Sequence, residues 1–297
     1  MLLQTTVFAL KKDRKRKMEK NKETLHVLRH SCSHIMAQAV QKLFPQAKLA
    51  IGPATDAGFY YDFDLTDGYA FTQDDLAKIE EEMKNIIKQN LTFEKYIIPD
   101  VDKQIAEFKA EGEIYKAELL EEHRNDNPTL YFTKDKDGNV LFNDLCAGPH
   151  LMSTKSIKAF KLISSSGAYW RGNEKNKMLT RIYGTAFPKK EELNAYLEHL
   201  EDVKRRDHNK LGREMELFTT VDVIGQGLPL LMPKGAKIIQ TLQRWIEDEE
   251  DNNRGYVRTK TPLMAKSDLY KISGHWDHYK DGMFVMGDEE TDKEVFA

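Results

Sequence analysis

Apolar residues at Leu25, Leu28, Cys32, Met36, Ala39 and Leu43 recur in steps of three and four. This spacing predicts a helix over residues 22–44, stopped by Pro45. At about 100° per residue, His30 and His34 project from the side opposite Cys32, toward solvent or a second surface such as a cleft. Short apolar or alternating runs predict strands at 49–51 and 59–63 around the Gly52-Pro53 turn, at 93–98, and at 130–133 and 140–145 flanking a KDKDGN hairpin. Two further strands are expected at 160–164 and 178–183, with Arg171-Gly172-Asn173 in the turn between them. Thr72 with Asp75 announces a capped helix carrying Leu76, Ile79, Met83 and Ile86. Asp100 starts another through residue 108, and a third covers 114–122. Helices and strands do not alternate strictly, so this first body is expected to be mixed α+β.

Residues 189–209 predict a highly charged helix with a narrow seam of Leu193, Tyr196, Leu197, Leu200 and Val203, suited to a connector. A second body is expected from about residue 213. It holds the Gly-rich loop GQGLPLLMPKG, a helix over 236–253 and a strand over 256–261 that ends at Pro262.

The length of 297 residues admits two domains. A hydrophobic content of 40% and a charged content of 31% are those of a soluble globular chain, and a net charge of −3 announces no polyanion partner for the whole surface. No apolar run reaches membrane-spanning length, and the N-terminus places apolar before basic residues, the reverse of a secretory signal. Cys32 and Cys146 are the only cysteines, which excludes a disulfide framework and points to a reducing cytoplasm. The basic run at 11–17 reads as a solvated tail or as a nucleic-acid contact.

Candidate chemistry comes from a split set: His30-x-x-x-His34, then Cys146-x-x-x-His150. Residues four apart on a helix aim from nearly one angle, so the first pair can address one point. Three readings stay open on the residues alone: ordinary surface groups, a tetrahedral zinc site, or a metal-free hydrolytic site in which imidazoles deprotonate a water. Asp144 adds a carboxylate, and Gly148-Pro149 forces a turn that draws Cys146 and His150 together; a plain turn with a buried thiol is the alternative. Tyr169, Trp170 and Arg171 form either the rim of an RNA pocket or the core of a hairpin.

The order of these motifs resembles the bacterial threonyl-tRNA synthetase family. His30-x-x-x-His34 is followed by Tyr115-Lys116, by Asp144-Leu145-Cys146-x-Gly148-Pro149-His150, by Gly167-Ala168-Tyr169-Trp170-Arg171-Gly172 and by Arg181-Ile182-Tyr183-Gly184-Thr185-Ala186. Arg206-Asp207-His208 and Gly274-His275-Trp276-x-x-Tyr279-Lys280 extend the resemblance from about residue 24 to the end.

The resemblance implies a basic N-terminal segment at 1–23, an editing domain at 24–188 and a helical linker at 189–212. Residues 213–297 would then begin a class II antiparallel-sheet catalytic domain with motif 1. It implies a threonine–tRNA ligase that also hydrolyses serine wrongly attached to threonine tRNA. Serine lacks one methyl, worth only about 1–3 kcal/mol of discrimination, so a second pocket must remove the smaller product. The implied editing residues are His30, His34, Lys116, Asp144, Cys146 and His150, with Tyr115, Tyr169, Trp170 and Arg171 toward RNA. Here the resemblance favours water-mediated hydrolysis with no editing-site metal. ATP and one catalytic zinc are expected in a longer enzyme, with ligands beyond Ala297, and a homodimer is expected through motif 1. Editing alone is expected to survive in the chain as given. A freestanding aminoacyl-tRNA deacylase and a catalytically idle tRNA-binding fragment are the alternatives.

Overall fold

The computed structural model describes residues 2–65, 69–287 and 295–296, with side chains from Lys22 onward. The basic side chains at 11–17 therefore lie outside the described residues. The chain divides into two compact units, Met1–Lys204 and Arg205–Ala297. The division falls inside the stretch expected as a linker.

In the first unit, helix α1 spans Leu2–Leu43. It begins well before residue 22, because the polar and basic residues ahead of the apolar stripe also take helical backbone. It ends where Pro45 removes the next backbone donor. Strands β1 (Lys48–Leu49) and β2 (Phe59–Asp64) follow, then α2 (Gln73–Lys88), β3 (Thr92–Ile97), α3 (Val101–Glu111) and α4 (Ile114–Glu122). After these come β4 (Thr129–Lys134), β5 (Val140–Leu145), β6 (Ala159–Tyr169), β7 (Met178–Phe187) and α5 (Lys190–Arg205).

Two antiparallel sheets result, one in the order β1-β2-β7-β6 and one in the order β3-β4-β5. Alternation along β2 sends Phe59, Tyr61 and Phe63 into a core with Cys32, Ile35, Met36 and Val40 of α1 and with Ile79 and Met83 of α2. The second sheet is covered on both faces. Leu130, Phe132 and Leu145 pack with Ile105, Phe108 and Leu120 of α3 and α4. The opposite face carries Thr133, whose hydroxyl donates to Gln38 of α1 at 3.1 Å. Residues 31–40 of α1 are consequently buried all round rather than on one stripe, while Leu43 is exposed.

Arg29 is buried with its guanidinium donating to the carbonyls of Asp56 at 2.6 Å and Ala186 at 3.4 Å, which is how a cation is tolerated there. Helix α5 packs on its own unit through buried Leu193 and through Tyr196, whose ring lies 5.2 Å from that of Phe187. The single helix expected over 189–209 is broken, because Asp207 accepts the Lys210 N–H at 2.9 Å and starts a new one.

The second unit contains α6 (His208–Glu214), a two-stranded ladder of β8 (Phe218–Thr219) and β9 (Leu230–Leu231), α7 (Pro233–Glu247), a π-helical turn (Asp248–Asn253), α8 (Ser267–Ile272) and α9 (His275–Tyr279). Helix α7 leaves Ile238, Ile239, Leu242, Trp245 and Ile246 exposed along one face. The strand expected at 256–261 is not formed: that backbone has no ladder partner among the described residues, and Val257 is 89% exposed.

Thr72 accepts the Asp75 N–H at 3.2 Å and Asp75 accepts the Thr72 N–H at 2.9 Å, a complete capping box on α2. Thr72→Ala is expected to cost about 1 kcal/mol, read as a lowered urea midpoint with an unchanged slope.

Candidate functional site

Strands β4 and β5 and the buried half of α1 make one cavity in the first unit. It encloses about 450 Å³ and is lined by His30 and His34 of α1, by the 50–53 turn, by Tyr61, by the segment from Leu119 to Thr129, and by Asp144 through Gly148. The two histidines sit one turn apart on the face of α1 turned away from Cys32, which is fully buried in the core. The split set thus converges. His30 Nε2 and His150 Nε2 each lie 3.3 Å from Cys146 Sγ, and the four ligand atoms of His30, His34, Cys146 and His150 are all within 4.8 Å of one another.

The loop that carries Cys146 and His150 is held to α1. Ser31 Oγ accepts the Leu151 N–H at 2.8 Å and lies 3.2 Å from His150 Nδ1. The Ser31 hydroxyl, the His150 ring, the Cys146 sulfur and His30 Nε2 thus form one continuous chain of contacts, whose donor and acceptor roles follow the imidazole tautomers. The Gly148 N–H also points at the sulfur, at 3.2 Å. Gly148 has φ +75°, and the phenol of Tyr131 occupies the space a Cβ would need. The His150 ring is clamped between Phe93, stacked at 5.1 Å, and Tyr131, at 4.5 Å.

The Asp144 carboxyl forms the floor of the site. Its Oδ2 accepts from the Tyr61 hydroxyl at 2.6 Å, its Oδ1 accepts from the Leu145 N–H at 3.0 Å, and the Lys116 ammonium stands 3.7 Å away. His34 Nε2 lies 3.6 Å from Oδ2, beyond hydrogen-bond length. Lys116 is almost fully buried, donates to the Asn143 carbonyl at 3.3 Å and approaches Glu113 at 3.9 Å. It is not part of the cavity wall, and its charge acts on the site from behind Asp144.

Burial dominates the electrostatics. It holds His34 well below the ordinary imidazole range, with the charges of His30 and Lys116 acting in the same direction, and it lowers His30 and His150 as well. The Cys146 thiol is pushed up to about 12 by burial, so it is a neutral donor and not a thiolate at neutral pH. Burial also raises Asp144, opposed first by Lys116 and then by the Tyr61 hydroxyl.

The residues expected to meet RNA are placed differently. Tyr115 and Trp170 are buried packing residues: their rings meet at 5.0 Å, the Tyr115 hydroxyl donates to Asp64 at 2.8 Å, and the Trp170 indole donates to Glu118 at 3.3 Å. Arg171 is at the surface but pairs with Glu122 at 2.6 Å and Glu118 at 3.0 Å. Tyr169 is exposed. None of the four lines the cavity.

Tyr61 was missed, because its register with Phe59 and Phe63 reads as core. A tyrosine in place of a phenylalanine there was the available signal, since a buried phenol needs a partner. Gly52 is what lets the two elements close, as the Tyr61 ring fills the position of its absent Cβ.

A native state that keeps three imidazoles neutral binds fewer protons than the unfolded chain below about pH 6.5. Stability is therefore expected to fall as pH drops through that value, read as a lower urea midpoint at pH 5.5 than at pH 7.5. His34→Gln is expected to lessen the difference.

Comparison with known proteins agrees with the geometry. A family described as "Threonyl and Alanyl tRNA synthetase second additional domain" matches residues 129–183, which include Asp144, Cys146 and His150. The chain is 63% identical over 277 residues to a threonine–tRNA ligase of Clostridium botulinum, covering 93% of this chain and 41% of that protein. It is 62% identical over 284 residues to that of Clostridium perfringens, with the same coverage. It is 49% identical over 264 residues to that of Acetivibrio thermocellus, covering 89% and 40%. The chain spans about two-fifths of the length of these relatives; it is similar to these threonine–tRNA ligases over 89% to 93% of its own length, and it carries the additional domain described for threonyl and alanyl tRNA synthetases at residues 129–183.

Proposed function

We propose that the first unit hydrolyses the ester between serine and threonine tRNA. The observation that carries this reading is one cavity in which His30, His34, Cys146 and a buried Asp144 converge from two distant segments. Ester hydrolysis needs a base for water, an anchor for the aminoacyl group and a wall that fixes its size. His34, neutral through burial, takes the proton from an attacking water. Asp144 accepts the α-ammonium group, with Tyr61 and Lys116 fixing the carboxylate. Cys146 bounds the side-chain end of the cavity, where the extra methyl of threonine would sit, and His150, outside the lining, backs the sulfur at 3.3 Å. The water oxygen bonds to the carbonyl carbon, the bond from that carbon to the ribose oxygen breaks with its electron pair going to the oxygen, and the proton taken by His34 is returned to give the ribose hydroxyl and free serine.

The close packing of four ligand atoms also suits a metal ion, and this second reading has its own readout. Metal-free hydrolysis survives chelation, whereas a metal-dependent site loses activity together with stoichiometric bound ion.

For the second unit, the reading is the start of a class II catalytic body of a ligase that joins threonine to its tRNA with ATP in the cytoplasm. Helix α7 stands as motif 1, and its exposed apolar face is the homodimer surface. Among the described residues the His/Cys cluster lies in the first unit, so it is not assigned to the catalytic zinc of such an enzyme, and no step is routed through zinc or ATP. No helix among the described residues is long and apolar enough to cross a membrane.

The test is release of amino acid from seryl- and threonyl-tRNA. The chain is expected to cleave the seryl ester faster, with chelator present. His34→Ala is expected to lower kcat by about a hundredfold or more, and Cys146→Ala to narrow the preference for serine by opening the wall. A wild-type chain that binds tRNA but releases neither amino acid is an idle fragment, and the proposal fails.

A further inference from the structure

Edge strand β3 carries a cation that the hydrolytic chemistry leaves unused. Antiparallel register sets Lys95 opposite Tyr131, Phe93 opposite Thr133 and Ile97 opposite Thr129. Directly opposed residues project on the same face. Phe93 stacks on His150 from that face, so Lys95, two residues on, points the same way. Its Cα stands about 5 Å from that of Tyr131, whose ring touches His150 and whose phenol lies against Gly148. The position is exposed, and Lys95 has no ion-pair partner among the described residues. Lys134 of the adjacent strand has one, pairing with Glu94 at 2.8 Å. The field of Lys95 is felt at Cys146, where it opposes the effect of burial on the thiol.

A free ammonium on an open sheet edge beside the thiol and the loop after β5 needs an anion that arrives with the substrate. An aminoacyl ester on a terminal ribose brings one, the phosphodiester that links this ribose to the rest of the RNA. We propose that Lys95 binds this terminal phosphodiester of the aminoacyl-RNA and so registers the ester over the histidine cavity. This rests on the hydrolytic reading above and adds a binding residue to it. Lys95 takes no part in proton transfer, so its contribution lies in holding the strand.

Seryl-tRNA and seryl-adenosine, which has the same ester but no phosphate, separate this role from a structural one. Lys95→Gln is expected to raise KM for seryl-tRNA about fivefold with kcat unchanged, and to leave seryl-adenosine hydrolysis as in the wild type. Lys95→Arg is expected to restore KM. For uncharged tRNA, the slope of log Kd against log salt is expected to shrink by about 0.7 in Lys95→Gln, one single-strand phosphate contact. Equal effects on both substrates, or an unchanged KM and salt slope in a variant with a wild-type urea midpoint, would overturn the proposal. If the wild-type chain cleaves neither ester, the hydrolytic reading falls and the salt slope alone decides whether Lys95 holds a phosphate.

Discussion

A buried carboxylate is the constraint around which the first unit is arranged. Asp144 is 3% exposed, and an ionised carboxylate taken so far from water is unstable unless its lone pairs are met. Three elements meet them: β2 through the Tyr61 hydroxyl, α4 through Lys116, and the backbone of the strand end through Leu145. Each partner carries its own requirement. Tyr61 reaches across only because residue 52 has no side chain, and Lys116 is itself buried with Asn143 and Glu113 to balance it. Removing one partner would therefore leave an unmatched charge in the interior rather than a simple gap, which couples the stability of the unit to the integrity of its site.

Helix α1 is the second half of this arrangement. One side packs apolar residues on the four-stranded sheet, and the other faces the three-stranded sheet with His30, His34 and Gln38. Its polar residues in the buried stretch each have a task. Arg29 ties down the 55–56 turn, Ser31 holds the loop after Cys146, and Ser33 donates to the Gly52 carbonyl at 2.7 Å. A helix buried on all sides cannot turn to repack, so the imidazoles are held in place by the same contacts that build the core.

Much of this was legible in the sequence where the signal was local. The 3–4–4 spacing of Leu25, Leu28, Cys32 and Met36 predicted both the helix and the sidedness of His30 and His34. The Thr72 and Asp100 caps were readable because capping is a contact over three residues. Convergence of the two halves of the site is a property of tertiary packing, and only the order of motifs, through a family resemblance, suggested it. Tyr61 and the burial of Tyr115 escaped, and for Trp170 rim and core stayed open, because exposure is not written in residue type: an aromatic beside an arginine looks the same on a rim as in a small core. The missing ladder at 256–261 has the same origin. Alternation reports a preference for extended backbone, while a strand exists only where another pairs with it.

The charge states explain why a thiol and three imidazoles can share so small a space. Were the set protonated, cations within 4.8 Å of one another would repel strongly in a poorly solvated interior; were the thiol ionised, it would compete with Asp144 for every donor present. Burial resolves both conflicts by lowering the imidazoles and raising the thiol, leaving a set of neutral hydrogen-bonding groups beside the Asp144 carboxyl, which burial also raises and Lys116 opposes. A neutral imidazole is a base ready for a proton, and a neutral thiol is a compact, weakly polar wall. The Asp144 carboxyl, met by Tyr61 at 2.6 Å and facing Lys116 at 3.7 Å, is then the polar anchor of a cavity whose other groups are neutral.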